Sequence, residues 1–135
     1  MRSLSALLLF AALPAQVLAC TYDRGDVQEA NLYYELGSSS LGMSGDETLK
    51  VMAANFIGCD VIYIASGHID ASELDASPGL GQARVDDARK RLEAQGVPAR
   101  NILVRDMKFD SPAVATPAGT RDPFNRRVEL VAVVR

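Results

Sequence analysis

Ser66, His68 and Asp70 are the residue types of a hydrolytic triad, and they stand close together in Ser66-Gly67-His68-Ile69-Asp70. In a triad a base takes the hydroxyl proton and an acid orients the base, so the three groups must converge from elements that fold toward one another. Spaced at i, i+2 and i+4, these three would instead lie along one face of an extended strand. No G-x-S-x-G elbow is present, so nucleophilic catalysis is not expected and the chain is read as a non-enzyme. His68 is the only histidine, and with two distant cysteines it lacks zinc-ligand spacing. Asp75, Asp106, Asp110 and Asp122 do not make an EF-hand loop, and no glycine loop of a nucleotide site appears. Neither a metal, a cofactor nor a nucleotide is expected.

The cysteines, Cys20 and Cys59, carry the remaining reactive chemistry, and their meaning depends on the compartment. Arg2 is followed by the apolar run Leu4 to Leu13, then Pro14 and the small residues Ala15 and Ala19, which is the order of a secretory signal peptide over residues 1–19. The run ends short of the roughly 20 residues that span a bilayer. Export from the cytosol is therefore expected, with residues 20–30 as a short N-terminal segment. Val17-Leu18-Ala19-Cys20 can be read as a lipobox, making Cys20 the acylated first residue of an outer-membrane lipoprotein. Equally it is a cleavage site that leaves Cys20 free to pair with Cys59, which an oxidising compartment permits. Bulky Leu18 and the short tether to the first strand favour the disulfide, and a free buried Cys59 is the third reading.

The precursor has 135 residues, and about 115 remain after the leader, enough for one domain. Hydrophobic residues at 48% and charged residues at 23% are ordinary for a folded globular chain. Loss of the leader leaves 13 basic against 17 acidic residues, and mild acidity gives no reason to expect nucleic acid. Asn31 to Leu36 reads as a strand. Ser44-Gly45-Asp46-Glu47 has capping-box spacing, and Leu49, Met52, Ala53 and Phe56 recur on one helical face up to a stop at Gly58. Val61 to Ala65 is an unbroken β-branched and aromatic run, as for a central strand covered on both sides. Ser77-Pro78 reads as the N-cap and first residue of a second helix through Leu80, Ala83, Val85, Ala88 and Leu92 to Gly96. Asp86, Asp87, Arg89, Lys90, Arg91 and Glu93 would form its solvated outer face. Asn101 to Arg105 and Val128 to Val134 complete a β-α-β-α-β-loop-β order, which packs helices on one sheet in an α+β or α/β sandwich.

Gly67-His68-Ile69-Asp70, Leu80-Gly81-Gln82-Ala83-Arg84, Gly96-Val97 and Asn125-Arg126-Arg127-Val128-Glu129-Leu130 occur in that order. Together they resemble the OmpA-like pattern of G-H-T-D, N-x-x-L-S-x-x-R-A, a G-V turn and N-R-R-V-E-I, over residues 31–135. The resemblance implies an α+β fold with helices packed on one mixed four-stranded sheet. It also implies a cell-envelope module whose partner is peptidoglycan, gripped through the diaminopimelate of the stem peptide. By the same resemblance Asp70 and Arg84 line the ligand pocket with Arg126 beside them, helped by Asn125 and by Ser77, which stands where the family has asparagine. The chemistry is coherent: the far end of diaminopimelate carries an ammonium and a carboxylate on one carbon. Asp70 can accept from the first, and Arg84 can fork onto the second. Arg126 and Arg127, adjacent at a strand start, are expected on opposite faces, one toward the pocket and the other toward solvent or a helix. The chain departs from the pattern at Ile69, Gly81 and the loop of residues 71–76, which lacks the family's glycine.

Overall fold

The computed structural model describes residues 18–135, so the segment read as a signal peptide, residues 1–19, lies almost wholly outside the described residues. The elements are β1 (Val27–Tyr33), α1 (Met43–Asn55), β2 (Val61–His68), α2 (Glu73–Ala76), α3 (Leu80–Ala94), β3 (Ile102–Lys108) and β4 (Arg127–Val134). The expected order holds, with the one-turn helix α2 added between β2 and α3. One four-stranded sheet runs β1-β4-β2-β3. The α3 crossover makes β2 and β3 parallel, while β4 enters from a long loop and lies antiparallel to both β1 and β2. This is the α+β arrangement of a mixed sheet with helices on it.

Val61, Tyr63 and Ala65 of β2 share a single core with Val128, Leu130, Ala132 and Val134 of β4. Against them pack Leu49, Met52 and Phe56 of α1 and Val85, Ala88 and Leu92 of α3. Burial along β2 alternates, with Ile62 and Ile64 only half-buried, so the central strand is covered by helices on one face rather than on both. β1 begins and ends earlier than expected because it is an edge strand: Val27, Glu29, Asn31 and Tyr33 face away from the core, which dilutes its apolar signal.

Both expected helix starts are displaced. α1 begins at Met43 after an extended Gly42, with no side-chain cap, so the box at Ser44 and Glu47 does not form. Buried Leu41 lies over Gly45 and turns the chain before Ser44 is reached. Ser77 is not the cap of α3, because its N–H donates to the Glu73 carbonyl at 2.7 Å and so closes α2; α3 opens after Gly79. The outer face of α3 is also less solvated than its charges suggest. Asp87 accepts from the Leu41 N–H and from Arg91, and Arg91 reaches Asp46 on α1 at 2.8 Å, which ties the two helices together.

Gly67 and Gly81 let α3 approach β2 at backbone distance. A Cβ on Gly67 would collide with the Gly81 carbonyl and stand 2.8 Å from Val85 Cγ1. The helix-propensity cost of Gly81, about 1 kcal/mol, is thereby exchanged for a close contact. Gly67→Ala should destabilise the fold by about 1–3 kcal/mol, the usual range for overpacking. Urea unfolding checks this, and a loss under about 0.5 kcal/mol would mean the approach is loose.

Cys20 and Cys59 are joined in a disulfide across a sequence separation of 39. Both lie half-buried, packed against the hydrophobic core. A sulfur in that bond is not available to an acyl chain.

Candidate functional site

The close approach at Gly67 and Gly81 sets the first turn of α3 against the end of β2, and Arg84 follows one turn later. Side chains on a helix lean toward its N-terminus, so Arg84 reaches back beneath the β2–α2 connection, fully buried. All five of its N–H groups are used. Nε donates to the Ser38 carbonyl at 2.9 Å, Nη1 to the His68 carbonyl at 3.0 Å, and Nη2 to the Glu35 carbonyl at 3.2 Å. The other two close a bidentate pair with Glu73, at 2.8 Å to Oε2 and 2.7 Å to Oε1. The Tyr34 ring lies 5.4 Å from the guanidinium carbon, within cation–π range. Burial, reinforced by Asp87, pushes the Tyr34 phenol well above its ordinary range.

Glu73 is itself surrounded by donors. Besides the Arg84 fork, Oε1 accepts from the Gly37 N–H at 2.9 Å and Oε2 from the Asp70 N–H at 3.1 Å. The Glu73 N–H in turn donates to Asp70 Oδ1 at 3.0 Å. This reciprocal pair is the capping-box arrangement, formed by Asp70-Ala71-Ser72-Glu73 at the turn into α2. Asp70 is fully buried and accepts also from the Ser72 hydroxyl, the Asp122 N–H and Arg126 Nη1, the last at 3.0 Å. Burial pulls its carboxyl upward, but the Ser72 hydroxyl, Arg126 and two backbone N–H groups outweigh that and hold it below the usual carboxylate range. Arg126 also donates to the Tyr34 carbonyl and borders a groove of about 290 Å³ with Tyr33, Tyr34, Glu35, Pro123 and Phe124.

No family model matches the chain, and no curated protein matches it by sequence. Solved structures do match. The OmpA-like domain of FopA1 from Francisella tularensis superposes with a TM-score of 0.59 at 14% identity, covering 92% of this chain and 94% of that one. The peptidoglycan-associated lipoprotein from Burkholderia pseudomallei gives 0.62 at 19% identity, over 76% of this chain and 88% of that one. The cell wall anchor of the T6SS from Pseudomonas aeruginosa gives 0.64 at 17% identity, over 83% and 89%. The fold is that of OmpA-like domains.

Within this OmpA-like fold, Asp70, Arg84 and Arg126 come together as one buried network, joined through Glu73. Asp70 and Arg84 are not paired with each other: Asp70 binds Arg126 and Arg84 binds Glu73. Asn125 is fully buried with both ends of its amide on the Val114 backbone, at 2.9 and 2.8 Å, so it pins the long β3–β4 loop. Ser77 sits half-buried at the end of α2, its backbone engaged with Glu73 and Leu80. Arg126 faces the network as expected, whereas Arg127 faces neither solvent nor a helix. It is buried on the opposite face of the sheet, against Glu129 and the Ser111 carbonyl, because the β3–β4 loop folds over it. Glu73 is the residue that motif reading passes over, although D-x-x-E at a strand end is a legible capping signal.

Ser66, His68 and Asp70 do not converge. The His68 carbonyl serves Arg84, while its buried ring points to the other face, with Nε2 3.5 Å from Glu129 Oε2. Burial and the nearby Arg127 push the imidazole below its ordinary value of 6.5, with Glu129 pulling the opposite way. A histidine depressed by folding adds stability that is present above 6.5 and is lost as pH falls from there through the folded value. Wild type should therefore lose more stability than His68→Gln between pH 7.5 and pH 5.5. Thermal unfolding of both proteins checks this, and parallel pH curves would contradict it.

Proposed function

We propose that this chain is a non-catalytic module of the bacterial cell envelope, exported to the periplasm, that binds peptidoglycan through the diaminopimelate of the stem peptide. The observation that carries the reading is the Arg84 cradle. It holds a carboxylate by a guanidinium fork and two backbone N–H groups, with the Asp70 carboxylate one turn of chain away. A receptor for a carbon bearing both an ammonium and a carboxylate needs an anion and a forked cation side by side, and charge-assisted bonds of this kind are the strong ones. The likeness to a peptidoglycan-associated lipoprotein and to a cell wall anchor supports the same ligand. The disulfide fits a compartment that tolerates oxidised thiols.

Co-sedimentation tests the reading without altering the protein. Sacculi with diaminopimelate in the stem peptide, whose uncross-linked residues keep the free ammonium and carboxylate, should pellet the protein, and sacculi with lysine at that position, which lack the second carboxylate, should not. Equal pelleting by both, or retention in the supernatant with both, would overturn it.

A second reading has its own support. Asp70 and Arg84 are wholly buried, with their oxygens and N–H groups committed to Arg126, Glu73 and the backbone. An OmpA-like scaffold that has lost glycan affinity and serves as a protein-interaction or structural module would look the same, and it predicts no pelleting with either sacculus.

A further inference from the structure

We propose that Glu73 is a built-in competitor: its carboxylate occupies the Arg84 cradle in place of a ligand's, and α2 is a latch that must swing out before a free carboxylate can bind. The inference rests on the carboxylate-site reading above and adds to it a closed state. Every donor around the Glu73 carboxylate belongs to an element other than α2. The Gly37 N–H lies in the β1–α1 loop, the Asp70 N–H just beyond β2, and the fork on α3. Arg84 is anchored independently by the carbonyls of Glu35, Ser38 and His68. Withdrawal of Glu73 therefore leaves a complete carboxylate receptor behind.

The latch itself is lightly held. α2 is a single turn of four residues, Glu73–Ala76, and Glu73 is its one buried residue; Leu74, Asp75 and Ala76 are exposed. Apart from backbone ties at its start, the Glu73 N–H on Asp70 Oδ1 and the Ser72 N–H on the Thr120 carbonyl, the helix is docked by the carboxylate that fills the cradle. An empty cradle would leave a buried guanidinium without an anion, which is strongly disfavoured. Opening is consequently coupled to arrival of another carboxylate, an exchange of one anion for another. A tethered competitor reduces apparent affinity in proportion to the closed population. Variants that weaken it should bind a free carboxylate at least about tenfold more tightly.

Acetate is the simplest probe. Glu73→Ala should melt below wild type in sodium chloride and recover part of the difference in sodium acetate of equal ionic strength, while wild type responds alike to both salts. An identical response of Glu73→Ala to acetate and chloride would overturn the proposal. Glu73→Gln, which keeps the side-chain volume and an acceptor for Arg84, guards against a variant that does not fold. Calorimetric titration with meso-diaminopimelate should give it an affinity at least tenfold above wild type, and binding to both proteins with equal affinity would overturn the proposal. Acetate recovery in a protein that pellets with neither sacculus would uphold the competitor and remove peptidoglycan as its ligand. Pelleting of wild type by diaminopimelate sacculi, matched but not exceeded by Glu73→Gln, would do the reverse.

Discussion

Arg84→Ala is expected to remove about 3–5 kcal/mol of folding stability, the range for deleting one partner of a buried ion pair. Truncation leaves the Glu73 carboxylate with only the Gly37 and Asp70 N–H groups, in a site closed to water, and it takes the Arg84 donors from the carbonyls of Ser38 and His68. The cost arises from the uncompensated charge more than from a lost attraction, since pairs of this kind gain little over a well-packed apolar substitute. The double replacement Arg84→Met with Glu73→Leu should therefore recover part of the loss, since it removes the bare charge but leaves the backbone groups that the pair served without partners. Urea unfolding of both singles and the double gives the coupling energy directly. A loss below about 1 kcal/mol for Arg84→Ala would place the pair in solvent and contradict the buried network.

Reduction of the disulfide is the second large effect. Closing a loop of this length removes unfolded-state entropy worth roughly 4 kcal/mol in the chain-entropy model, and measured losses for small exported domains run from about 2 to 5 kcal/mol. Cys20→Ser with Cys59→Ser should fall in that range. The bond also ties the segment before β1 to the start of β2, so its loss should first free residues around Cys20, Tyr22 and Gly58, where the Leu18 carbonyl packs close to the glycine. Hydrogen exchange before and after reduction checks the location. Unchanged stability under reducing conditions would contradict it.

The sequence makes the architecture readable where local pattern and tertiary role agree. Val61 to Ala65 is β-branched and apolar because it lies inside the sheet, and Leu49, Met52 and Phe56 repeat at helical spacing because they face the core. The displaced boundaries have tertiary causes. Ser44-x-x-Glu47 and Asp70-x-x-Glu73 carry the same capping signal, and only the second forms. Leu41 burying itself over Gly45 pre-empts the first, while Arg84 arriving from α3 secures the second. Neither contact is visible along the chain.

The site shows the same division. Motif order brings out Asp70, Arg84 and Arg126, which do assemble in one place. The partners they choose depend on a loop that departs from the family pattern. Residues 71–76 place a glutamate where it can reach the fork of Arg84, and this turns an expected open pair of opposite charges into two closed ones. The neighbouring asparagine, Asn125, illustrates a related limit. Its position beside Arg126 suggests ligand contact, yet the length of the β3–β4 loop creates a backbone at Val114 that takes both ends of its amide.

The most direct test of the carboxylate site is a titration of isotope-labelled wild type with a soluble stem peptide that contains diaminopimelate, followed by NMR at three N–H groups: Arg84 Nε, Gly37 and Asp70. These donors surround the cradle or belong to the guanidinium that forms it, so they should shift together and saturate at one ligand concentration, while the lysine-containing peptide leaves them in place. Resonances that stay fixed with both peptides, or that move equally with both, would contradict the account.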